Sequence, residues 1–161
     1  YLCGPADYTI CYFDKRIKTT RAQQLAMAVV YFSPWQFLYW YDRPAMYHGE
    51  KETDFFKAVP TVWDDTKVLD GQIGKFCTIA RRSGREWFVG SMNAGERRMR
   101  EIPLGFLAAD KTYLATVYSD KAPDGSDPTG VAVRTQAVTA GEMLKVDLAA
   151  NGGAAIRIVE R

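Results

Sequence analysis

The sequence predicts a mainly β fold, in which a C-terminal antiparallel β-sandwich follows a strand and a helix. Short β-like runs separated by turn signals fill residues 74–161, and one broad apolar helix dominates residues 1–45. With 161 residues, 47% of them apolar and 25% charged, the chain is long enough for one packed domain and an appendage. Residues 46–73 are more polar and turn-prone, and we interpret them as the junction between the two parts.

The N-terminal part is predicted to be a single strand–helix unit. Residues 1–9 are mostly apolar and predict a strand that runs out into a loop at residues 7–9. A parallel strand needs neighbours on both edges and helices over both faces, so this unit cannot bury its own surfaces. We therefore expect its partners to lie outside this chain. In the junction, residues 53–57 predict a short helix.

The first helix is predicted over residues 19–40. Thr20 and Gln23 have the spacing of a capping box, and residues 25–32 are apolar on all sides, which indicates burial by several neighbours. Pro34 interrupts the apolar run, because a proline removes a helical hydrogen bond and clashes with the preceding turn. This interruption favours a buried domain helix over a membrane span.

The sandwich is predicted from alternating apolar and polar residues between turns. In one run Leu144, Val146 and Leu148 share a face while Lys145 and Asp147 share the other, as in a half-buried strand. Strands are predicted at residues 75–81, 86–91, 97–102, 113–119, 131–138, 143–148 and 154–159.

The composition excludes several function classes. The net charge of +2, from 21 basic and 19 acidic residues, gives no long-range attraction to nucleic acid. The three cysteines and the single histidine, His48, lack metal-ligand spacing and predict neither a zinc site nor a disulfide framework. Residues 1–14 show no signal-peptide pattern and the chain does not begin with Met, so we expect it to continue a longer protein.

Several stretches resemble the C-terminal third of glycoside hydrolase family 97. They are residues 4–9 (GPADYT), 19–26 (TTRAQQLA), 33–36 (SPWQ), 55–66 (FFKAVPTVWDDT), 87–90 (WFVG), 102–107 (IPLGFL) and 152–156 (GGAAI). The first stretch is similar to the family's last barrel strand and its loop, although Ile10 and Cys11 replace the usual Pro-Gly. The stretch at 55–66 is the most specific of the set.

This resemblance implies the end of a bacterial α-glucosidase or α-galactosidase. Residues 1–45 would be the last strand and helix of a (β/α)8 barrel, and residues 74–161 the C-terminal sandwich that packs on that barrel and on an N-terminal domain. The catalytic carboxylates and the ligands of the family's calcium ion would lie upstream, so the chain alone is expected to be inactive. The anomeric outcome depends on the spacing of those carboxylates, so retention and inversion both stay open, as do glucoside and galactoside substrates. The family also implies a periplasmic or secreted location.

The resemblance makes Asp7 and Tyr8 the candidate substrate-binding residues. Barrel enzymes carry their chemistry on loops at the C-terminal ends of the strands, where a carboxylate can bind sugar hydroxyls and a tyrosine can line the pocket. The alternatives are a loop-capping aspartate and a packing tyrosine. The adjacent carboxylates Asp64 and Asp65 are interpreted as turn and capping residues, and His48 as an exposed histidine of the junction.

A run of large rings leaves further interpretations open. It comprises Trp35, Phe37, Tyr39, Trp40 and Tyr41. Rings of this size usually fill the seam between packed units, which predicts a core position. Exposed, coplanar rings would instead stack on pyranose faces and mark a non-catalytic carbohydrate-binding module. An exposed apolar patch would favour a third alternative, self-association of the chain.

Overall fold

The computed structural model describes residue 5, residues 7–11 and residues 17–161, with Cys11 described by its backbone alone. Its strands are β1 (Tyr8–Cys11), β2 (Gln36–Tyr39), β3 (Asp65–Gln72), β4 (Phe76–Ser83), β5 (Glu86–Asn93), β6 (Arg98–Pro103), β7 (Tyr113–Asp120), β8 (Val131–Val138), β9 (Met143–Leu148) and β10 (Gly153–Glu160). Its α-helices are α1 (Arg21–Val30) and α2 (Thr53–Ala58), and a short 3-10 turn spans Pro44–Met46. The mainly β, antiparallel class predicted from the sequence is confirmed.

The sandwich consists of a six-stranded and a two-stranded antiparallel sheet. The large sheet has the order β3-β4-β5-β10-β7-β8, and β6 pairs with β9 to form the small one. Apolar side chains from both sheets form the core between them, including Val89, Val117, Ile156, Ile102 and Leu144. Because side chains alternate across a strand, the intervening residues of the large sheet face away from this core.

The second face of the large sheet is covered by helices rather than left open. Phe88, Tyr118 and Ala155 project from this face and pack with Leu25 and Val29 of α1. Helix α2 adds the fully buried Phe55, whose ring lies edge-on to Tyr118 at 5.4 Å and to Phe88 at 6.1 Å. The described residues therefore form two apolar clusters, one on each face of the same sheet.

Strands β1 and β2 pair in parallel, with α1 connecting them. Tyr8 lies opposite Gln36, and Cys11 lies opposite Tyr39. Parallel strands need a crossover of this length, which α1 supplies. The N-terminal part is thus a strand–helix–strand unit, with one strand more than the sequence predicts.

The predicted sandwich strands are confirmed as β4 to β10, and the predicted helix at 53–57 is α2. Strand β3 is not predicted, because it lies within the segment interpreted from the sequence as the junction. Polar side chains occupy more than half of its eight positions, and most of its residues are exposed, because it forms an edge of the sheet. An edge strand of this kind lacks the apolar alternation on which the prediction depends.

The helix predicted over residues 19–40 is too long. Helix α1 ends at Val30, and Tyr31 already has extended backbone angles. Ser33 then closes a tight turn, since its hydroxyl both accepts from the Trp35 N–H and donates to the Trp35 carbonyl. Beyond Pro34 the chain forms β2, which contains Phe37 and Tyr39, in keeping with the preference of aromatic side chains for strands. The loop predicted at residues 7–9 is also wrong for Tyr8 and Thr9, which belong to β1.

Candidate functional site

The predicted substrate-binding residues lie at the start of β1. Asp7 is exposed and immediately precedes the strand, and Tyr8 is its first residue. The Tyr8 hydroxyl donates to the Met27 carbonyl at 3.0 Å, and its ring lies edge-on to Tyr31 at 5.6 Å. Tyr8 therefore packs on α1. The strand predicted ahead of Asp7 falls mostly outside the described residues, and the role of both side chains in binding sugar stays a prediction.

The aromatic run divides between core and surface. Trp40 is 5% exposed and packs edge-on to Phe56, as the core interpretation predicts. That interpretation is wrong for Trp35, Phe37 and Tyr39, which are 62%, 45% and 46% exposed. The rings of Trp35 and Phe37 stack with 5.5 Å between their centroids and 28° between their planes. The β1–β2 unit thus presents an aromatic surface that the described residues leave uncovered.

Helix α1 lies directly on the backbone of the large sheet. A Cβ atom at Gly90 of β5 would stand 2.7 Å from the Ala26 carbonyl oxygen and 3.0 Å from the Val29 Cβ. A Cβ atom at Gly153 of β10 would stand 2.7 Å from the Gln23 Cα. The two distances of 2.7 Å are shorter than the contacts that real Cβ atoms make. Glycine at these two positions therefore allows the helix to approach the sheet this closely. Ala22, Leu25 and Ala26 of α1 are fully buried against the sheet.

The sandwich also supplies hydrogen-bond partners to the first turn of α1. A helix N-terminus leaves its first N–H groups without partners inside the helix. Here the Thr20 N–H donates to the Asn151 carbonyl at 3.2 Å, and the Arg21 N–H donates to the Pro128 carbonyl at 3.0 Å. The buried Gln23 side chain donates to the Asn93 carbonyl at 2.6 Å and to the Gly152 carbonyl at 3.2 Å.

The predicted capping box at Thr20 and Gln23 is half correct. The Thr20 hydroxyl oxygen accepts from the Gln23 N–H at 3.1 Å, as the motif requires. The Gln23 side chain, however, reaches the sandwich instead of the Thr20 N–H, which the Asn151 carbonyl already occupies. The spacing identified the helix start but gave no indication of this second partner.

A buried carboxylate, Asp120, holds the sandwich turn that contacts α1. Its Oδ2 accepts from the Ala149 N–H at 2.8 Å and from the Gly153 N–H at 3.0 Å. Burial raises the pKa of the Asp120 carboxyl, while the Thr20 hydroxyl and the two N–H groups act in the opposite direction. Nothing in the local sequence reveals that Asp120 is buried.

A charged and aromatic cluster joins the junction to α1. The Arg21 guanidinium lies 3.6 Å from the Glu52 carboxylate and 5.6 Å from the centre of the Trp40 ring. Burial, and next the neighbouring Glu50 carboxylate, raise the pKa of Tyr41 to about 12. These contacts hold residues 40–52 against the N-terminal end of α1.

The remaining candidates have structural partners. The Asp64 carboxylate accepts from the Gly84 N–H at 2.7 Å, and Asp65 caps the Thr66 N–H, which confirms their turn and capping roles. His48 is exposed. Within the part of the chain that the structure describes, no three His, Cys, Asp or Glu side chains cluster in a way that could hold a metal ion. None of the described helices has the length and apolar character needed to cross a membrane.

Comparison with known families identifies the chain. The sequence profile described as "Glycosyl-hydrolase 97 C-terminal, oligomerisation" matches residues 62–159, which include β3 to β9 and nearly all of β10. The chain belongs to glycoside hydrolase family 97. Its sandwich is the C-terminal domain of that family, as the resemblance predicts.

Individual relatives extend the similarity beyond the sandwich. The retaining alpha-galactosidase of Bacteroides thetaiotaomicron is 36% identical over 169 residues, covering 96% of this chain and 25% of the relative. A probable retaining alpha-galactosidase of Streptomyces bingchenggensis is 32% identical over 99 residues, covering 62% of this chain and 14% of the relative. The chain thus spans a quarter or less of the length of these relatives.

A solved structure shares the fold over almost the whole chain. The glycoside hydrolase family 97 enzyme of Pseudoalteromonas sp. strain K8, in complex with acarbose, is 33% identical, with a TM-score of 0.88. The match covers 99% of this chain and 27% of that enzyme. The strand–helix–strand unit is therefore part of the shared structure, together with the sandwich.

Proposed function

We propose that this chain is the C-terminal structural portion of an α-glycoside hydrolase. In this proposal β1, α1 and β2 belong to the wall of a (β/α)8 barrel, and the sandwich packs on the barrel through α1. The observation that supports this proposal is the packing of α1 on the large sheet, which leaves Ala22, Leu25 and Ala26 fully buried. The exposed rings of Trp35, Phe37 and Tyr39 would then be covered by neighbouring barrel elements.

The parent enzyme would hydrolyse terminal α-linked glucose or galactose. Glycoside hydrolysis needs two carboxyl groups flanking the scissile bond. We place these groups, and the ligands of any calcium ion, in the part of the enzyme that precedes this chain. The contribution of this chain would be to complete the barrel wall. A periplasmic or secreted location belongs to the same proposal.

The test is the intact mass of the natural protein together with its hydrolysis of 4-nitrophenyl α-galactoside and α-glucoside, with and without calcium. We expect a mass several times the 18.1 kDa of this chain and release of 4-nitrophenol. The ratio of the two rates would give the substrate preference. The proposal would be contradicted by a natural protein of 18.1 kDa that releases no 4-nitrophenol and does not bind to a barrel domain on another chain.

A second candidate function is carbohydrate binding without catalysis. It is favoured by the exposed ring of Trp35, because a flat ring packs on a pyranose face, although Phe37 stacks on Trp35 and does not lie coplanar with it. The discriminating experiment is affinity electrophoresis of this chain in soluble α-glucan or galactan, beside a Trp35→Ala variant. Retardation that the variant loses would favour binding, whereas equal mobility in gels with and without glycan would favour the structural role.

The same aromatic surface offers a site for self-association of the isolated chain. Within the described residues, Leu38 is also 51% exposed, next to Phe37 and Tyr39. An apolar surface of this kind is expected to associate when its natural cover is missing. Sedimentation of the chain at increasing concentration would reveal this, and a monomer at all concentrations would count against it.

A further inference from the structure

Helices α1 and α2 leave part of the second face of the large sheet open. There a cavity of about 550 Å³ lies between α2 and the strands β7, β8 and β10. Asp54 and Lys57 of α2 line one side of it, and on the side of the sheet Thr116 of β7 lies opposite Arg157 of β10. A cavity of this volume can hold a small molecule. Its charged and polar lining distinguishes it from the two apolar clusters.

Tyr118 supplies a buried donor to this cavity. The side chain is only 5% exposed, and its ring packs edge-on to Phe55. Among the described residues, none forms a hydrogen bond with its hydroxyl. Burial first, and then the Asp54 carboxylate, raise the pKa of Tyr118, whereas Arg157 acts in the opposite direction. The hydroxyl is therefore protonated, close to two charged residues of the cavity, and available to an acceptor that would offset its desolvation.

Arg157 offers one edge of its guanidinium to the cavity. The Nε and Nη2 groups donate to the two oxygens of Glu86 at 2.7 Å and 2.8 Å. This bidentate pair leaves the N–H groups of Nη1 without a partner in the described part of the chain. The edge of a guanidinium matches two oxygens of a carboxylate or a phosphate. Arg157 is thus held in place by one carboxylate and can bind a second oxyanion.

The charges around the cavity do not balance. Its cations are Lys51, Lys57 and Arg157. Lys57 pairs with Asp54 and Arg157 pairs with Glu86, so two of the three cations are neutralised. Lys51 is exposed and has no ion pair with any residue that the structure describes. The excess positive charge attracts an anion.

The other polar groups of the cavity suit the hydroxyl groups of a ligand. One oxygen of the Asp54 carboxylate accepts from Lys57 at 2.7 Å, which leaves its second oxygen as an acceptor. The Thr116 hydroxyl lies 3.3 Å from the Thr135 hydroxyl and can both donate and accept. A ligand that carries an oxyanion and several hydroxyl groups would satisfy both sets of groups.

We propose that this cavity binds a sugar acid or a sugar phosphate. Arg157 and Lys51 bind the oxyanion, and Tyr118 donates a further hydrogen bond to it. Asp54 and Thr116 bind hydroxyl groups of the sugar. The carboxylate and the phosphate share one chemistry, an oxyanion on a polyhydroxyl ring. The site goes beyond the proposed function and does not depend on it, because every residue that it uses lies in this chain.

The experiment is isothermal titration of the natural protein that contains this chain with galacturonate, galactose 1-phosphate and uncharged galactose. We expect at least one of the two charged ligands to bind, with an affinity that falls as the ionic strength rises. Their relative affinities identify a carboxylate or a phosphate as the preferred oxyanion. Tyr118→Phe removes only the hydroxyl and keeps the ring on Phe55, and Lys51→Met removes one exposed charge. Each variant should weaken binding of the charged ligand by about tenfold.

Two matched controls lie outside the cavity. Tyr113 is on the same strand and equally buried, but its side chain belongs to the core between the sheets. Lys75 is exposed in the turn between β3 and β4, at the other edge of the large sheet. Tyr113→Phe and Lys75→Met should therefore leave binding unchanged.

Three results would overturn this site. They are the absence of binding by both charged ligands at millimolar concentration, binding that neither Tyr118→Phe nor Lys51→Met weakens, and galactose binding that both variants weaken to the same extent. Hydrolysis of the 4-nitrophenyl glycosides, measured on the same samples, tests the proposed function separately. An inactive wild-type protein that still binds the charged ligand through Tyr118 and Lys51 would contradict that function and support the site.

Discussion

Gly90 shows at the scale of one residue how the two parts of the chain are joined. Its neighbour across the sheet is Ala155, so the floor beneath α1 is made of small residues. The backbone of Ala26 approaches so closely that a methyl group has no room. Because main-chain atoms cannot move aside as a flexible side chain can, the helix as a whole would have to shift.

We therefore predict that Gly90→Ala destabilises the chain by about 1–3 kcal/mol through overpacking. The control is Gly141→Ala, since a Cβ atom at Gly141 meets no heavy atom within 4 Å and this substitution is expected to be close to neutral. Urea unfolding of both variants measures the difference. Equal stability of the two would mean that the helix can shift on the sheet without cost.

Asp120 provides a second prediction, about pH. Its pKa is raised above the ordinary value of 3.8 by burial, so the folded chain binds this proton more readily than the unfolded chain does. Protonation of Asp120 therefore adds stability that is fully present below pH 3.8 and is lost as the pH rises through the folded pKa. We compare the free energies of unfolding of the wild type and of Asp120→Asn. The wild-type value minus the variant value should increase as the pH falls from about 7 toward about 4.

Asp124 supplies the control with the opposite sign. The N–H and hydroxyl groups of Ser126 lower the pKa of this exposed carboxylate, so its contribution is present above pH 3.8 and is lost as the pH falls through the folded pKa. The difference between wild type and Asp124→Asn should thus shrink as the pH falls through the folded pKa. Urea titrations at several pH values test both variants. A difference for Asp120→Asn that is flat or falls with acid would contradict the burial argument.

At the scale of elements, the large sheet is the common support of two apolar clusters. The core between the sheets contains side chains of β4 to β10 together with flanking loop residues, and none of its described members belongs to α1 or β1. The cluster on the other face requires α1, because Leu25, Ala28 and Val29 form much of it. The two clusters should therefore respond differently to loss of the N-terminal part.

Deletion of residues 1–40 is predicted to leave a cooperatively folding sandwich of lower stability. Its own core remains, but Phe88, Tyr118 and Ala155 lose their cover and become exposed. We expect a retained thermal transition at lower temperature and increased binding of an apolar dye. Loss of the transition would show that α1 is needed for the sandwich to fold, and an unchanged transition temperature would show that its contacts contribute little.

The sequence predicts those elements whose pattern is local. The strands from β4 to β10 are short β-like runs that end at turns, so their positions follow from the sequence itself. Alternation marks β9, whereas β5 is buried on both faces and shows none. Strand β3 is not predicted, because an edge strand with residues such as Lys67 and Asp70 lacks a regular alternation of apolar and polar residues. The packing of α1 on the sheet is not predicted either. Gly90 lies within a strand, and the sequence does not distinguish it from other strand glycines until the helix packed on it is known.

Across the whole molecule, α1 belongs to both structural units. It connects β1 to β2 in the N-terminal unit, and its backbone at Ala26 and Gln23 lies on Gly90 and Gly153 of the sandwich. A helix shared in this way couples the stabilities of the two units, because neither can unfold without exposing the surface that it buries. In the proposed parent enzyme, the barrel and the C-terminal sandwich should therefore unfold together.

This coupling gives the prediction for the whole enzyme. Calorimetry of the wild-type parent should show the barrel and the C-terminal sandwich in one transition, whereas Gly90→Val, which forces α1 away from the sheet, should separate them into two. Gly141→Val, at an open position, should leave the single transition intact. Two transitions already present in the wild type would mean that the contact with α1 is too weak to couple the domains. In that case α1 would be stabilised mainly by the barrel, and the sandwich would be an independent unit attached to it.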